Sequence, residues 1–292
     1  MALVSPGLIK AANDALVGIT GDINIAKLFA YDFSADFAEY GDTVKVGVAT
    51  ATANELNLNP GDGETLNDYE TDSGNVSYVD VKLNHQPKAT QKVKSLDVFE
   101  APNAPYWPKV QQAMIEAIDG KISQTLGGLF TAAACTGGKI VCATGQKANV
   151  AKILASITGR AGRTVLGLSP VYFATLLGDL DAHVYGGDEA IRQGIIRGLY
   201  GFKGVICLRD LPDGICGAAI PDTSVAVAAR ATLKAEDEKM FPEAGTVTDE
   251  NGFPITVTRH MSFAKRDTFL NADVLWGAKL VQASKVQYIA AS

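Results

Sequence analysis

From Ala104 to Ala134 the chain carries an apolar residue at every fourth position: Val110, Met114, Ile118, Ile122, Leu126 and Phe130, with Trp107, Ile115 and Leu129 beside them. That spacing draws one stripe along a helix. Pro105 and Pro108 suit its first turn, where a missing N–H costs nothing. Gly127 and Gly128 weaken its last turns, and Gly137-Gly138 end it. Roughly 25 residues rising about 1.5 Å each predict a rod of about 40 Å. It separates a polar, strand-like first part from a run of short helices and strands and a β-rich tail.

Before the rod, Leu8, Ile9, Ala12, Leu16 and Ile19 fit the apolar face of a modest helix bounded by Pro6 and Gly21. The aromatic stretch Leu28, Phe29, Tyr31, Phe33 and Phe37 fits a strand by its alternation, and its lack of polar logic predicts burial against the rest of the molecule or against a neighbour. Val44 and Val46 alternate with Thr43 and Lys45. In Asn75–Leu83 the positions Ser77, Val79, Val81 and Leu83 oppose Val76, Tyr78, Asp80 and Lys82. Thr43–Leu83 therefore reads as two strands whose connection projects from the core. That connection, Ala49–Ser73, has almost no large apolar groups, a turn signal at Asn59-Pro60-Gly61-Asp62-Gly63 and six acidic residues between Glu55 and Asp72. Its composition also fits disorder. A lone hairpin is marginal, so this one needs a partner surface, in its own chain or on another subunit.

After Thr90–Pro105, which leads into the rod, Ala148–Ile157 reads as helix and Thr164–Leu168 as strand. Ser169 is an N-cap ahead of Pro170 and a helix bearing Val171, Phe173, Leu176, Leu177 and Leu180. His183–Asp188 is a turn-rich break, and Glu189–Ile196 fits one or two further helical turns. Gly204–Leu208 and Cys216–Ile220 are strands. Asp222 caps an alanine-rich helix, TSVAVAARA. Leu233–Asn251 is a polar loop, Pro254–Phe263 a strand, and Phe269–Ile289 a closing pair of strands turning at Gly277.

A length of 292 residues allows one large or two small domains, and 47% hydrophobic with 20% charged residues is enough for a core. The net charge of −6 argues against a dedicated nucleic-acid binder. No apolar run reaches the length of a membrane span, and no leader pattern opens the sequence, which together predict a cytoplasmic origin. Nucleotide loops, HExxH and GxSxG are absent from the sequence. His85, His183 and His260 lie in three separate contexts, each better suited to structure than to catalysis. Cys135, Cys142, Cys207 and Cys216 lack zinc spacing and read as buried thiols.

Asp62, Glu64, Asp68, Glu70 and Asp72 lack the ligand order of a calcium loop, so a solvated tip is the better reading. Gly186-Gly187 and Gly198-Leu199-Tyr200-Gly201-Phe202 read as turns in preference to an anion cradle. Lys45, Lys82 and Lys88 are isopeptide candidates without a designated partner. No catalytic, cofactor-binding or metal residue is assigned. A chain of this size with a projecting hairpin and no site suggests contact with copies of itself.

The order of parts resembles the major capsid proteins of tailed bacteriophages, whose fold is shared with herpesvirus capsid floors and encapsulins. Ala30–Val46 resembles the run into an extended loop, and Val76–Thr90 its returning strand. Ala104–Phe130 looks like the spine helix. Ser169–Gly214 looks like the axial-domain stretch, and Ala219–Ala231 like the exit from it. The resemblance implies an α+β capsid-type fold. Its parts would be an N-terminal arm (1–42), an extended β-hairpin loop (43–90), a peripheral domain with the spine helix (91–136 and 223–292) and an axial domain (137–222).

It further implies a non-enzymatic major capsid protein that self-assembles as hexamers and pentamers into an icosahedral shell around double-stranded phage DNA. The chain would be found in the virion and assembled in the host bacterial cytoplasm. Its expected partners are itself, a separate scaffolding protein, a portal protein, a decoration protein and non-specifically held packaged DNA, with no cofactor and no membrane. His183–Asp188 would face the local symmetry axis, and Gly120 and Gly127-Gly128 would be places where the spine bends. The alternatives are an encapsulin-like compartment, or an α/β enzyme using Cys207 or Cys216 with His183.

Overall fold

The helical stripe forms α1, Tyr106–Gly128. In the computed structural model, which describes residues 25–26, 28–50, 75–94, 106–180, 195–196, 198–233, 243–248, 252–262 and 267–291, Met114, Ile118, Ile122 and Leu126 all point into the main core, and Phe130 just beyond the helix is fully buried there. The helix ends at Gly128, about two and a half turns before the Gly137-Gly138 stop expected from sequence. The predicted first helix, the acidic connection after residue 50 and the segment His183–Asp188 lie outside the described residues.

The described strands form four sheets, three of which contribute to the core around this helix. The first is β1 (Ala30–Phe37), β10 (Val225–Ala231) and β14 (Leu275–Leu280), in the order β1-β10-β14. β10 runs parallel to β1 and antiparallel to β14. Its sequence, VAVAARA, was expected to be a helix capped by Asp222, because alanine favours helices. Burial overrides that preference. Val225, Val227 and Ala229 face the main core, while Ala226 and Ala228 face a separate apolar cluster on the other side. Period-two burial on both faces is what a central strand shows and a helix of this length does not.

The second sheet is the hairpin of β2 (Thr43–Thr50) and β3 (Asn75–Lys82), in the register expected from their alternation. The third is β4 (Lys88–Lys94), β11 (Glu243–Thr248), β12 (Pro254–Ser262) and β13 (Asp267–Asp273), antiparallel in the order β11-β12-β13-β4. β11 occupies sequence read as loop. Its threonine-rich run pairs residue by residue with β12, and that ladder satisfies backbone groups a loop would leave to water. Ile255, Val257, Leu270, Ala272 and Ala89 turn one face of this sheet into the main core.

The fourth sheet has six strands: β5 (Lys139–Val141), β6 (Thr164–Leu168), β7 (Ile195–Ile196), β8 (Gly204–Cys207), β9 (Gly217–Pro221) and β15 (Gln287–Ala290), in the order β5-β15-β9-β6-β8-β7. Helices α2 (Lys147–Ser156) and α3 (Pro170–Asp179) cover one face through Val150, Ile153, Phe173 and Leu176. Val165, Ile206, Ala218 and Ile220 on the other face join the core of α1. Both faces being covered explains why β6 reads as an unbroken buried run.

Three further expectations change here. Ile195–Ile196 is a strand on β8 and not the end of a helix. Ser169 sits at the N-cap of α3, but its side chain makes no capping bond. Gly277 lies inside β14, opposite Ala228, and is no turn. β15 pairs between β5 and β9, so it joins the six-stranded sheet built by residues far earlier in the chain.

Phe130 closes the lower end of the α1 stripe at 0% exposure. Truncating Phe130→Ala should lower unfolding stability by about 3–5 kcal/mol, read from the urea midpoint. A loss under about 1 kcal/mol would show that this end of the helix is not seated in the core.

Candidate assembly surfaces

The hairpin is seated on the first sheet by its own apolar face. Val46, Val81 and Leu83 pack against Ala226, Ala228 and Leu275, with Val44 and Ala38 at the margin. The small alanines of β10 let the two sheets approach, and Gly277 sets the closest crossing. A Cβ there would stand 2.2 Å from the carbonyl oxygen of Lys82 and 3.3 Å from the Val81 side chain. Backbone bonds hold the ends of the crossing: Leu83 N–H donates to Asp42 O at 2.8 Å, Gly41 N–H to Leu83 O at 2.7 Å, and His85 and Trp276 exchange N–H···O bonds at 3.1 and 2.9 Å. The Lys279 ammonium reaches Asp80 O at 3.2 Å. The base of the hairpin therefore finds its partner surface within its own chain, one of the two possibilities its sequence allowed. Tyr78, on its outer face, remains 69% exposed.

The aromatic strand β1 also finds cover within the chain. Phe33 meets Phe253 edge-on at 5.1 Å and stacks with Tyr31 at 4.8 Å. Arg230 clamps β1 to β10, donating to the Asp32 carboxylate and to its backbone oxygen, both at 3.0 Å. Gly127, expected as a bending point, has a packing role instead. A Cβ there would stand 2.3 Å from Arg209 O and 2.8 Å from Asp210 O, so the loop after β8 passes directly over the helix. Gly120 and Gly128 have open space around them.

The sequence-level candidates for chemistry are dispersed. His85 is held by its backbone bridge to Trp276, with ring centroids 6.0 Å apart, and desolvation lowers its pKa. His260 stacks on Phe269 at 5.2 Å and exchanges a hydrogen bond with the Asn271 amide at 3.2 Å. That amide also donates to Thr258 Oγ1 at 3.2 Å. His260 is thus part of a polar ladder across β12 and β13, and His183 lies outside the described residues.

No disulfide joins the four cysteines. Cys142 N–H donates to Ala290 O and Cys216 N–H to Ile289 O, so β15 runs between the two residues. One intervening strand implies a separation of about 10 Å, beyond the 7 Å or so that a disulfide spans. Burial pushes the Cys135 thiol up to about 11 and raises Cys142 as well, the reverse of an activated nucleophile. Desolvation chiefly, with a hydrogen bond to Cys216, pushes the Tyr172 phenol up to about 12. Its hydroxyl contacts Cys142 O and Ala143 O, each at 3.0 Å.

The glycine-rich run at 198–202 is a tight turn: Gly198, Tyr200 and Gly201 have φ of 72°, 51° and 77°, with Leu199 and Phe202 buried. Among the described residues no group of three or more His, Cys, Asp and Glu could hold a metal ion, and no helix is long and apolar enough to cross a membrane. Lys45, Lys82 and Lys88 are exposed, and the acidic tip is not described.

What the surface does offer is apolar area at two edges. Tyr78 and Tyr40 stand out beside the hairpin. At the outer strand of the six-stranded sheet, as the described residues define it, Val141 on β5 and Val171 at the start of α3 are 65% and 73% exposed. The Tyr172 bond to Cys142 O ties the second pair to one region.

No protein-family model matches the chain, and no curated protein matches its sequence. Solved structures do. The crystal structure of the virus-like particle from Pyrococcus furiosus superposes with a TM-score of 0.54 at 9% identity, covering 96% of this chain and 97% of that one. The chain has the fold of that particle's protein. It is the capsid-type α+β fold expected from the order of the parts. The capsid of an empty GTA particle (TM-score 0.48, 13% identity, 93% of this chain and 89% of that one) and Mycobacterium phage Che8 (0.42, 15%, 85% and 84%) superpose more loosely.

The seat of the hairpin was half visible in sequence. Alternation picked out Val44, Val46, Val81 and Leu83. Nothing local marked Gly277 or the β10 alanines as their counterpart, because that contact joins residues about two hundred positions apart.

Two outcomes follow from this geometry. Gly277→Ala should destabilise the chain by about 2–3 kcal/mol, since the obstacle is backbone, and should speed proteolytic cleavage within residues 43–83; unchanged cleavage would refute the crossing. Because the His85 pKa is lowered in the folded chain, its contribution is intact above the unfolded value of 6.5 and is lost as pH falls through the folded value. The wild-type urea midpoint should therefore fall more than that of His85→Gln between about pH 7.5 and about pH 5.5. Parallel pH profiles would rule this linkage out.

Proposed function

We propose that the chain is a non-enzymatic shell subunit, the major capsid protein of a tailed bacteriophage, which assembles with copies of itself into an icosahedral capsid around double-stranded DNA. The observation that carries this reading is the full-length fold match to a virus-like particle, 96% of one chain on 97% of the other. The surfaces agree with it. The chain buries its hairpin base but leaves Tyr78, Tyr40, Val141 and Val171 exposed, and single apolar contacts of this size become effective when closed symmetry repeats them.

On this reading residues 1–42 are the arm, 43–90 the extended loop, 91–136 and 223–292 the peripheral domain, and 137–222 the axial domain. Residues 287–290 cross over to complete the axial sheet. The loop tip would lie over an adjacent subunit, residues 183–188 would face the local symmetry axis, and Gly120 is the better-placed site for bending of the spine, since Gly127 is needed for packing. A separate scaffolding protein, a portal and a decoration protein would be partners. The chain would assemble in the host cytoplasm and reside in the virion.

An encapsulin-like compartment is the second reading, compatible with the same fold match. Expression of the full chain with its genomic neighbours, followed by electron microscopy, should give closed shells of uniform diameter. Nuclease-protected DNA inside supports the phage reading and an enclosed enzyme the compartment. A soluble monomer under all co-expression conditions would reject both.

A further inference from the structure

Where β6 begins, β9 ends and the chain turns into β10, an open groove of about 450 Å³ is lined by Thr158, Arg160, Arg163, Asp222, Ser284 and Lys285, among others. Its backbone frame is fixed. Arg163 N–H donates to Arg160 O at 3.0 Å, Asp222 N–H to Arg163 O at 2.8 Å, and Lys285 N–H to Gln282 O at 3.0 Å. Thr164 Oγ1 donates to Arg160 O at 3.0 Å. Asp222 is the one acid in the lining, and Lys203 already faces it at 3.8 Å. Lys203 is held in turn by Leu28 O at 2.8 Å. The Arg160, Arg163 and Lys285 side chains have no acidic partner among the described residues. Three cations thus converge on one groove in a chain whose net charge is −6.

A matching anion exists in the same sequence. Between Lys45 and Lys82 there is no Lys or Arg, while Glu55, Asp62, Glu64, Asp68, Glu70 and Asp72 fall within that stretch. Like-charged copies associate poorly unless such a segment meets a cationic surface. The groove presents two guanidinium forks suited to carboxylates and hydroxyls from Thr158 and Ser284. Building on the self-assembly reading, we propose that the Arg160–Arg163–Lys285 groove is a docking site for the acidic segment, residues 55–72, of a second copy of this chain.

A charge-swap pair tests this in the full-length protein. One variant carries Arg160→Glu, Arg163→Glu and Lys285→Glu; the other carries Asp62→Lys, Glu64→Lys, Asp68→Lys and Glu70→Lys. Each alone should fail to form the oligomers that the wild type forms in sedimentation. Mixed, they should co-assemble, because each supplies the charge the other's surface needs. If the segment docks on its own chain, mixing restores nothing and the proposal falls.

A second readout does not depend on assembly. A labelled synthetic peptide of residues 52–74 should bind the wild-type chain, weaken with salt, and lose about tenfold or more in affinity to the groove variant. Arg160→Gln with Arg163→Gln, checked by circular dichroism, guards against misfolding and should give an intermediate loss. Peptide binding that is indifferent to these substitutions overturns the proposal, as does a groove that ignores the peptide but takes a DNA duplex. A wild type that never oligomerises yet binds the peptide through the groove would sink the shell reading and keep the docking site.

Discussion

Burial of β10 on both of its faces is the constraint on which the rest of the molecule depends. One face looks to the core built by α1, and the other receives the hairpin. Such a strand can carry no large side chain on the hairpin side, because two backbones must approach there. Ala226, Ala228 and Gly277 meet that demand, and the Gly277 to Lys82 crossing shows how little room remains. Larger residues would lift the hairpin off the sheet, expose Val46, Val81 and Leu83, and free the strap that runs through His85 into β4. The parallel strand β1 then hangs from the same element through its ladder and the Arg230 clamp.

That arrangement divides the hairpin into two physical regimes. Near its base, valines pair across the strands and their inward face is dry. Farther out, Tyr78 on the opposite face is largely in solvent. The same holds for the six-stranded sheet, covered on both faces and ending at β5 among the described residues, where Val141 and Val171 lie. A sheet edge with apolar neighbours can receive a further partner. Under the proposed self-assembly, such features are where copies would meet.

Most of the elements were legible because their periodicity agreed with their burial. The four-residue stripe of α1, the alternation of β2, β3 and β12, and the Ser-Pro start of α3 each followed from local pattern. The failures share a cause. VAVAARA reads as helix because alanine favours one, yet it is a strand since only small side chains fit between two layers. β11 reads as loop because its threonines and glutamate are polar, yet the ladder to β12 fixes it. Gly277 reads as a turn because glycine so often makes one, when its absent Cβ serves a crossing formed with residue 82. In each case the deciding partner was far away in sequence, and no local signal carries that information.

Among the described residues, several of the candidates for chemistry have structural roles. His85 bridges to Trp276, His260 joins the Thr258–Asn271 ladder, and Cys142 and Cys216 are kept apart by β15. The cationic groove was invisible in sequence for the reason β10 was: Arg160, Arg163 and Lys285 come from two segments more than a hundred residues apart, joined only once β15 returns beside β9. A chain that closes its C-terminal strand into the middle of an earlier sheet fixes the relation between its two halves. Charges gathered at that junction then sit on a rigid platform, and a partner docking there would read the orientation of the whole subunit.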